Sequence, residues 1–293
     1  MGYVNSQTFR VAALALFAGL AGAAFAGTAT DVTGLYYTGV DNSGTVLAGG
    51  ATDSHWAVAY ARVNGTSYTG TSTYTGTPYV LSPSYIDAAY VANSSTAKWI
   101  TAPGASTAAT GGTTNVGGDY LPGNGTSGTN AAQYVYRLAF TITGSGAGAV
   151  TNQVSVSLTL AADDRYSVYV NPTLSANGSI NTGSSTLAGS RTNAWSNTSA
   201  LYLQNFTDSN GSTNSTWVIG TNYIYVVVDN TNSATGSSGS NALNPSGLLV
   251  YQVGAATTID GKPIPEVGAI LPVLAAVGLF GWRRMRRGAA AGP

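Results

Sequence analysis

Strict alternation of apolar and polar residues dominates the middle of the chain. In residues 134–143 every even position from Tyr134 to Ile142 is apolar, whereas the odd neighbours include Arg137 and Thr141. Residues 153–160 repeat the pattern, with valine or leucine alternating with serine or threonine. A period of two residues turns one side of a strand toward a core, so both segments are predicted to be strands with one buried face.

Several other segments are predicted strands. Residues 222–230 are apolar on both faces and indicate a central strand, and residues 165–171 continue the strand pattern after a break at two aspartates. Residues 247–254 are expected to form the closing strand, and 33–40 and 55–63 are further candidates. The connecting segments, above all 101–130, are rich in Gly, Asn and Ser, which favour turns and long surface loops.

No segment of the body has helical periodicity. About eight to ten short strands separated by turns predict an all-β fold, a β-sandwich and most simply a jelly roll. No internal repeat of fixed period is present, so we expect one domain over residues 27–260.

The first 26 residues have the order of a secretory signal peptide. Arg10 gives a thin basic start, an apolar segment follows, and Ala24 and Ala26 fit the small residues of a cleavage site. The alternative is an N-terminal membrane helix, which the short, Gly- and Ala-rich segment disfavours. The mature chain is therefore expected to begin near Gly27.

The C-terminal segment, residues 261–293, has three parts. Pro265 and Glu266 precede an apolar run over 267–282, which as a helix would be roughly 24 Å long against a hydrocarbon core of about 30 Å. A basic cluster follows and would keep the C-terminus on the cytoplasmic side of a membrane. A buried helix of the fold is the alternative, which this cluster disfavours: Arg283, Arg284, Arg286 and Arg287.

This three-part order resembles the C-terminal sorting signal of PEP-CTERM proteins. Pro265 and Glu266 match the family motif, whereas Val267 stands where the family has a second proline. The resemblance implies that an exosortase-type enzyme recognises the tail. It also implies a transient stay in the inner membrane of a bacterium, followed by transfer to the outer surface or an extracellular matrix.

The body resembles the β-sandwich domains that such proteins often carry. The stretches that carry the resemblance bracket nearly the whole exported region: residues 33–56, 90–103, 160–171 and 244–255. The resemblance implies a jelly-roll, galactose-binding-like fold without catalytic activity.

Composition narrows the function classes. The chain has no cysteine, which excludes disulfides and a zinc–thiolate site. Only 8% of its residues are charged, and residues 27–260 contain five Lys or Arg against ten Asp, a formal charge of −5. Without a basic surface to neutralise phosphates, nucleic acid is not an expected partner.

Candidate catalytic groups are few. His55 is the single histidine, and Glu266, in the predicted sorting signal, is the single glutamate. A Ser-His-Asp triad through His55 is the remaining alternative, because the spacing within a triad is not fixed along a sequence. No nucleophile motif accompanies His55, so an enzyme is not predicted.

Two pairs of residues are candidates for binding. Asp163 and Asp164 lie between two predicted strands and resemble the Asp-Asp loop of sugar-binding sandwiches, in which carboxylates hold calcium. The alternative is a polar turn in which the side chains bond to the local backbone. Trp99 and Trp195 lie in loop-like sequence and are candidates for stacking on sugars, with packing in the interior as the alternative. No other cofactor is expected.

The sequence therefore predicts a non-enzymatic, exported protein of the cell surface or extracellular matrix. It would associate with itself or become embedded in exopolysaccharide. The alternative is an adhesion module that binds a surface glycan, with or without calcium at Asp163 and Asp164.

Overall fold

Two antiparallel β-sheets packed face to face form the described part of the chain. The structure is a computed structural model and describes residues 27–63, 66–68, 76–83, 86, 90–102, 132–176, 178–192, 194–205, 216–230, 247–251, 257–260 and 262–263. These ranges contain strands and no α-helix, and accordingly none of their residues forms an apolar helix of membrane-spanning length. The predicted all-β sandwich is confirmed.

Fourteen strands follow one another along the described chain. They are β1 (Thr28–Thr33), β2 (Trp56–Val63), β3 (Thr66–Tyr68), β4 (Tyr79–Val80), β5 (Ile100–Thr101), β6 (Ala132–Ser145), β7 (Val154–Asp163), β8 (Arg165–Val170), β9 (Leu187–Arg191), β10 (Ser199–Gln204), β11 (Gly220–Asn230), β12 (Gly247–Tyr251), β13 (Thr258–Ile259) and β14 (Lys262–Pro263).

Each sheet is organised around one long strand. In the first sheet, β6 pairs with β11 along one edge and with β1 and β2 along the other; β2 continues to β3, and β11 continues to β8 and β9. In the second sheet, β7 pairs with β10 along one edge and with β12 and β13 along the other. β12 then continues to β5 and β4, and β13 continues to β14.

The core lies between the sheets and is built by alternate residues of their central strands. Burial of each large apolar side chain contributes about 1.5–3 kcal/mol, so the central strands β6 and β7 supply much of the hydrophobic stabilisation. The alternation predicted for β6 and β7 is confirmed, because the core contains Tyr134, Tyr136, Leu138, Phe140 and Ile142 from β6, and Val154, Val156, Leu158 and Leu160 from β7.

β11 is buried on both faces, as its unbroken apolar sequence predicted. It lies between β6 and β8. Its inward-facing residues, such as Val226, belong to the core. On the opposite face Tyr225 and Val227 pack in a second cluster with Tyr60, Val135 and Tyr169.

The predicted strand over residues 33–40 is wrong. β1 ends at Thr33, and the following segment is irregular. Gly34 and Gly39 have φ of 85° and 70°, a left-handed conformation that interrupts extended backbone. The predicted closing strand is confirmed as β12, but β13 and β14 follow it in the chain.

The turn between β6 and β7, residues 149–153, holds both ends of the described fold. Gly27 donates its N–H to a carbonyl of this turn at 2.9 Å. The Asn152 carboxamide accepts from the N–H of Ala29 at 2.7 Å and donates to its carbonyl at 2.9 Å. The same carboxamide donates to Asp260 Oδ2 at 3.2 Å. The first strand and the β13–β14 hairpin are therefore fastened to one point.

Some predictions fall outside the described residues. They are the signal peptide over residues 1–26, most of the loop over 101–130, and the sorting signal from Pro265 through the apolar run 267–282 to the arginine cluster.

Replacement of Gly144 by alanine is expected to destabilise the sandwich by about 1–3 kcal/mol, the usual range for overpacking. Gly144 pairs with Ala29 across the β1–β6 ladder, and a Cβ there would lie 2.0 Å from the carbonyl oxygen of Thr28. Urea unfolding measures the change. Gly183→Ala is the control, because its nearest neighbouring atom would be 3.5 Å away. Equal stabilities of the two variants would contradict the close approach of β1.

Candidate functional site

The two aspartates singled out in the sequence lie where the chain crosses from one sheet to the other. Asp163 is the last residue of β7 in the second sheet, and Arg165 begins β8 in the first. Asp164 alone connects the two strands, and the peptide bond between Asp163 and Asp164 is cis. The crossing therefore fixes both carboxyl groups at one end of the sandwich.

Backbone hydrogen bonds bring Trp195 to this crossing. The N–H of Ala162 donates to the carbonyl of Ala194 at 3.3 Å, and the N–H of Ala194 donates to the carbonyl of Asp164 at 2.8 Å. The carbonyl of Trp195 in turn accepts from the N–H of Val91 at 2.9 Å. The segment before β10 is thus held between the crossing and the segment around Val91.

Tyr90 joins the aspartates to both tryptophans. Its ring centroid lies 5.5 Å from that of Trp99 and 6.0 Å from that of Trp195, and both ring pairs are tilted. Its hydroxyl donates to Asp163 Oδ2. We call this group the aspartate–aromatic junction, and it unites the two candidate pairs that the sequence left separate: Tyr90, Trp99, Asp163, Asp164 and Trp195.

Burial differs sharply between the two tryptophans. Trp99 is 0% exposed and packs with Leu81, Ala161 and Leu249. Its indole N–H donates to the carbonyl of Val91 at 2.8 Å. The prediction that Trp99 offers a ring face to a sugar is therefore corrected, because the interior encloses that ring. Trp195 is half-buried and keeps part of its surface toward solvent.

The electrostatics of the junction are acidic. Asp163 is buried, Asp164 is half-buried, and the N–H of Asp164 donates to the carbonyl of Asp229 at 3.2 Å. The Asp229 carboxylate is occupied by Gln133 Nε2 at 2.8 Å and by Arg165 Nε at 3.5 Å. Asp229 was not predicted as a residue of this region, although its place at the end of a strongly predicted strand was the available signal.

No group of three His, Asp or Glu side chains suited to a metal occurs within the described ranges. Asn171 and Asp41 also carry side-chain oxygens, but both side chains bond to the local backbone. Asn171 bonds to Thr216 and Tyr223, and Asp41 accepts from Ser43 and Thr45 inside its own turn. Calcium binding at Asp163 and Asp164 stays a prediction, and Asn171 and Asp41 are not available to complete such a site.

His55 is held at the start of β2 by packing and by Asp53. Its ring stacks on Tyr36 with centroids 3.4 Å apart and planes 6° from parallel. Its backbone N–H donates to Asp53 Oδ1 at 2.9 Å. Its Nε2 atom is buried and has no hydrogen-bond partner among the described residues. Among the described residues, no serine or threonine hydroxyl is hydrogen-bonded to this Nε2 atom, as a catalytic triad through His55 would require.

Asp53 is a buried carboxylate that organises the loops before β2. Its Oδ2 accepts from the N–H of Gly39 at 2.7 Å, and its Oδ1 accepts from those of His55 and Trp56 at 2.9 and 3.2 Å. Burial raises the pKa of Asp53, although these three donors act in the opposite direction. Asp53 is therefore a structural hydrogen-bond acceptor, and burial of its charged form costs free energy.

Comparison with known proteins gives little likeness. No protein-family model and no curated protein matches the sequence. A solved structure from Clostridium difficile, the cysteine protease and lectin-like domains of the surface layer associated protein Cwp84, is similar at 19% identity with a TM-score of 0.22. The similar region covers 48% of this chain and 27% of that one, so this chain spans about a quarter of its length. A likeness this distant carries no argument about function.

Two carboxyl groups should give opposite dependences of stability on pH. The raised pKa of Asp53 means that its favourable contribution is complete below the unfolded value of 3.8 and is lost as pH rises through the folded value. In the wild type this group should make the free energy of unfolding fall as the pH rises, and the Asp53→Asn variant should lack that fall. It should also weaken the fold throughout, because the amide presents a donor to backbone N–H groups.

The matched control is Asp41→Asn. The Ser43 hydroxyl, more than the backbone of Thr45, lowers the pKa of Asp41, so its contribution is present above pH 3.8 and is lost on acidification through the folded value. Urea unfolding between about pH 2 and 7 measures both slopes. For each variant, the difference in the free energy of unfolding from wild type is followed against pH. If the two differences change with pH in the same direction, the opposite pKa shifts of Asp53 and Asp41 are contradicted.

Proposed function

We propose that this chain is a non-enzymatic, exported protein of the bacterial cell surface or extracellular matrix, delivered by its C-terminal sorting signal. One observation carries the proposal. The described sandwich extends from Gly27, directly after the predicted signal-peptide cleavage site, to Pro263, two residues before the Pro265–Glu266 motif. The interval between the two predicted processing signals thus begins and ends with described residues of the sandwich.

Both ends of that interval are parts of the fold. Gly27 is buried and hydrogen-bonded to the β6–β7 turn, and Pro263 pairs with Thr258 in the β13–β14 hairpin. Cleavage before Gly27 and near Pro265 would therefore leave every described strand intact. This arrangement supports processing at both ends, with a transient inner-membrane intermediate and an exosortase-type enzyme as the partner.

For the body we propose a jelly-roll, galactose-binding-like sandwich that associates with itself or with exopolysaccharide. Antiparallel pairing throughout the named strands and a shared core between two sheets support this finer assignment. The small number of charges on the body supports a scaffolding role, because electrostatic repulsion between copies is weak.

The processed protein recovered from its own cells is expected to begin near Gly27 and to end near Pro265. It should be found in the outer-envelope or extracellular fraction. Replacement of the arginine cluster by glutamine should cause full-length tail to accumulate, because recognition of the tail requires its basic end. Intact-mass spectrometry of the fractions measures both outcomes. The variant carries four changes: Arg283→Gln, Arg284→Gln, Arg286→Gln and Arg287→Gln.

Lys262→Gln is the control, since Lys262 is a basic residue of β14 that precedes the Pro265–Glu266 motif, the apolar run and the arginine cluster. It should be processed like the wild type. A wild-type protein that keeps its complete C-terminus in the inner membrane would overturn the sorting proposal.

A second function is favoured by the aspartate–aromatic junction. Trp195 has a half-buried ring and directly follows Ala194, whose N–H donates to the carbonyl of Asp164. The ring and the Asp164 carboxyl are therefore held in the same region, at one end of the sandwich. Aromatic faces pack on the apolar faces of sugar rings, and carboxylates accept from sugar hydroxyls. We therefore propose carbohydrate binding at this junction, with calcium as an additional ligand of Asp163 and Asp164.

Trp195→Ala is expected to weaken glycan binding roughly tenfold or more, since about 1.4 kcal/mol of lost contact corresponds to a factor of ten. A glycan array followed by titration calorimetry measures the change, with calcium and with a chelator. Leu187→Ala is the control, because Leu187 is an exposed apolar side chain on β9. An array that stays blank under both conditions would eliminate the junction as a carbohydrate site.

A further inference from the structure

The outer face of the second sheet carries a row of small polar residues along β7. The odd-numbered residues of this strand point away from the core, because its even-numbered residues fill it. Ser157 and Thr159 are consecutive members of that outer row. On the neighbouring strands Tyr202 lies opposite Ser157 across the β10 ladder, and Tyr251 lies opposite Thr159 across the β12 ladder.

We call these four residues the outer hydroxyl strip: Ser157, Thr159, Tyr202 and Tyr251. The strip lies on the same sheet face as the aspartate–aromatic junction, and Tyr251 packs against the cluster around Trp99, but Ser157, Thr159 and Tyr202 are not members of that cluster. Asp163 lies four residues beyond Thr159 on β7, roughly 13 Å farther along the strand. Ala161, between them, is covered by the cluster around Trp99.

The two floor hydroxyls have no hydrogen-bond partner among the described residues. Ser157 is 0% exposed and Thr159 is 6% exposed, and the Oγ atom of the serine and the Oγ1 atom of the threonine are both unsatisfied. Buried hydroxyl groups are nearly always paired, because an unpaired one has lost its water without compensation. Two such groups side by side on one face indicate a position that a hydroxyl-bearing ligand completes.

The dimensions of the strip suit one or two sugar rings. Neighbouring strands are about 4.8 Å apart, and Tyr202 and Tyr251 pair with β7 residues two positions apart, so their positions are separated by about 12 Å diagonally across β7. The two floor hydroxyls are spaced by about 7 Å along the strand. Tyrosine rings on both sides would pack against the apolar faces of a sugar, and the floor would exchange hydrogen bonds with its hydroxyls.

No residue of the strip is charged, and neither are the adjacent outward-facing Ser155, Ala200 and Gln204. A charged ligand would be drawn into a neutral, partly dry surface without a counter-charge. A neutral ligand with many hydroxyl groups meets no such cost. The chemistry of the strip therefore selects neutral carbohydrate over anionic polymers.

We infer that the outer hydroxyl strip binds neutral carbohydrate, with Ser157 and Thr159 as the hydrogen-bonding floor and Tyr202 and Tyr251 as the stacking walls. Because the floor is closed to solvent, the ligand must displace the side chains above it. Tyr202, at 53% exposed, is the wall that moves. The inference takes its ligand class from the proposed carbohydrate-binding function but rests on different residues.

The test uses the chain from Gly27 to Pro263 beside the full chain, in native gels that contain dextran, galactomannan or mixed-linkage β-glucan. Alginate serves as the anionic comparison. The wild type should be retarded by at least one neutral polymer and not by alginate. The double variant Ser157→Ala, Thr159→Val removes both hydroxyl groups, with an isosteric replacement at Thr159, and should raise the Kd at least tenfold.

Thermal unfolding gives a second, independent readout. Since the two hydroxyls are unpaired in the fold, the double variant should keep the Tm of the wild type or raise it. A lower Tm would mean that the hydroxyls are already satisfied within the chain, and it would overturn the inference. Thr257→Val is the matched control, because its hydroxyl is also buried and unpaired but lies outside the strip.

The outcomes separate this inference from the proposed functions. Binding that is lost in Trp195→Ala but kept in the double variant overturns the strip and leaves the junction in place. The reverse result supports the strip and removes the junction. A wild type that no neutral polymer retards overturns the strip, whereas the surface location is decided separately by the masses of the processed chain.

Discussion

Burial of β7 on both of its faces is the constraint on which the rest of this structure depends. Its even-numbered residues pack in the core between the sheets, and its odd-numbered residues are buried from Ser157 onward. A strand enclosed in this way needs a ladder on each edge, since unpaired backbone groups inside a protein are costly. β10 supplies one ladder, and β12 and β13 supply the other. Because Asp164 alone connects β7 to β8, the position of β7 also fixes where β8 begins in the opposite sheet.

The same constraint explains which elements the sequence predicts well. β6, β7 and β11 are long and central, and their sequences, alternating in β6 and β7 and apolar throughout in β11, agree with the tertiary environment. The segment over residues 33–40 has a similar apolar content, but two glycines with positive φ interrupt it. The pattern of side chains carries no direct signal of backbone conformation at such positions, and the prediction failed there for that reason.

The candidate site shows a different limit of prediction. Asp163, Asp164 and Trp195 are recognisable from the sequence, but backbone hydrogen bonds of Ala194 bring Trp195 to the two aspartates. The Tyr90 hydroxyl reaches the Asp163 carboxylate from 73 residues away in the chain. Trp99 looked like a loop residue because glycine, serine and threonine surround it, yet the loop folds back over the second sheet and encloses the ring. Contacts of such sequence separation are set by the topology, which no local pattern specifies.

The fastening of both chain ends to the β6–β7 turn has a consequence for orientation. Asn152 in that turn contacts Ala29 near the beginning of the fold and Asp260 near its end. β7 starts immediately after the turn and runs ten residues to Asp163, a distance of roughly 30 Å. A chain held at its C-terminal end therefore carries the aspartate–aromatic junction at its distal tip. The ten residues of β7 thus separate the two ends of the sandwich, with the β13–β14 hairpin at one end and the junction at the other.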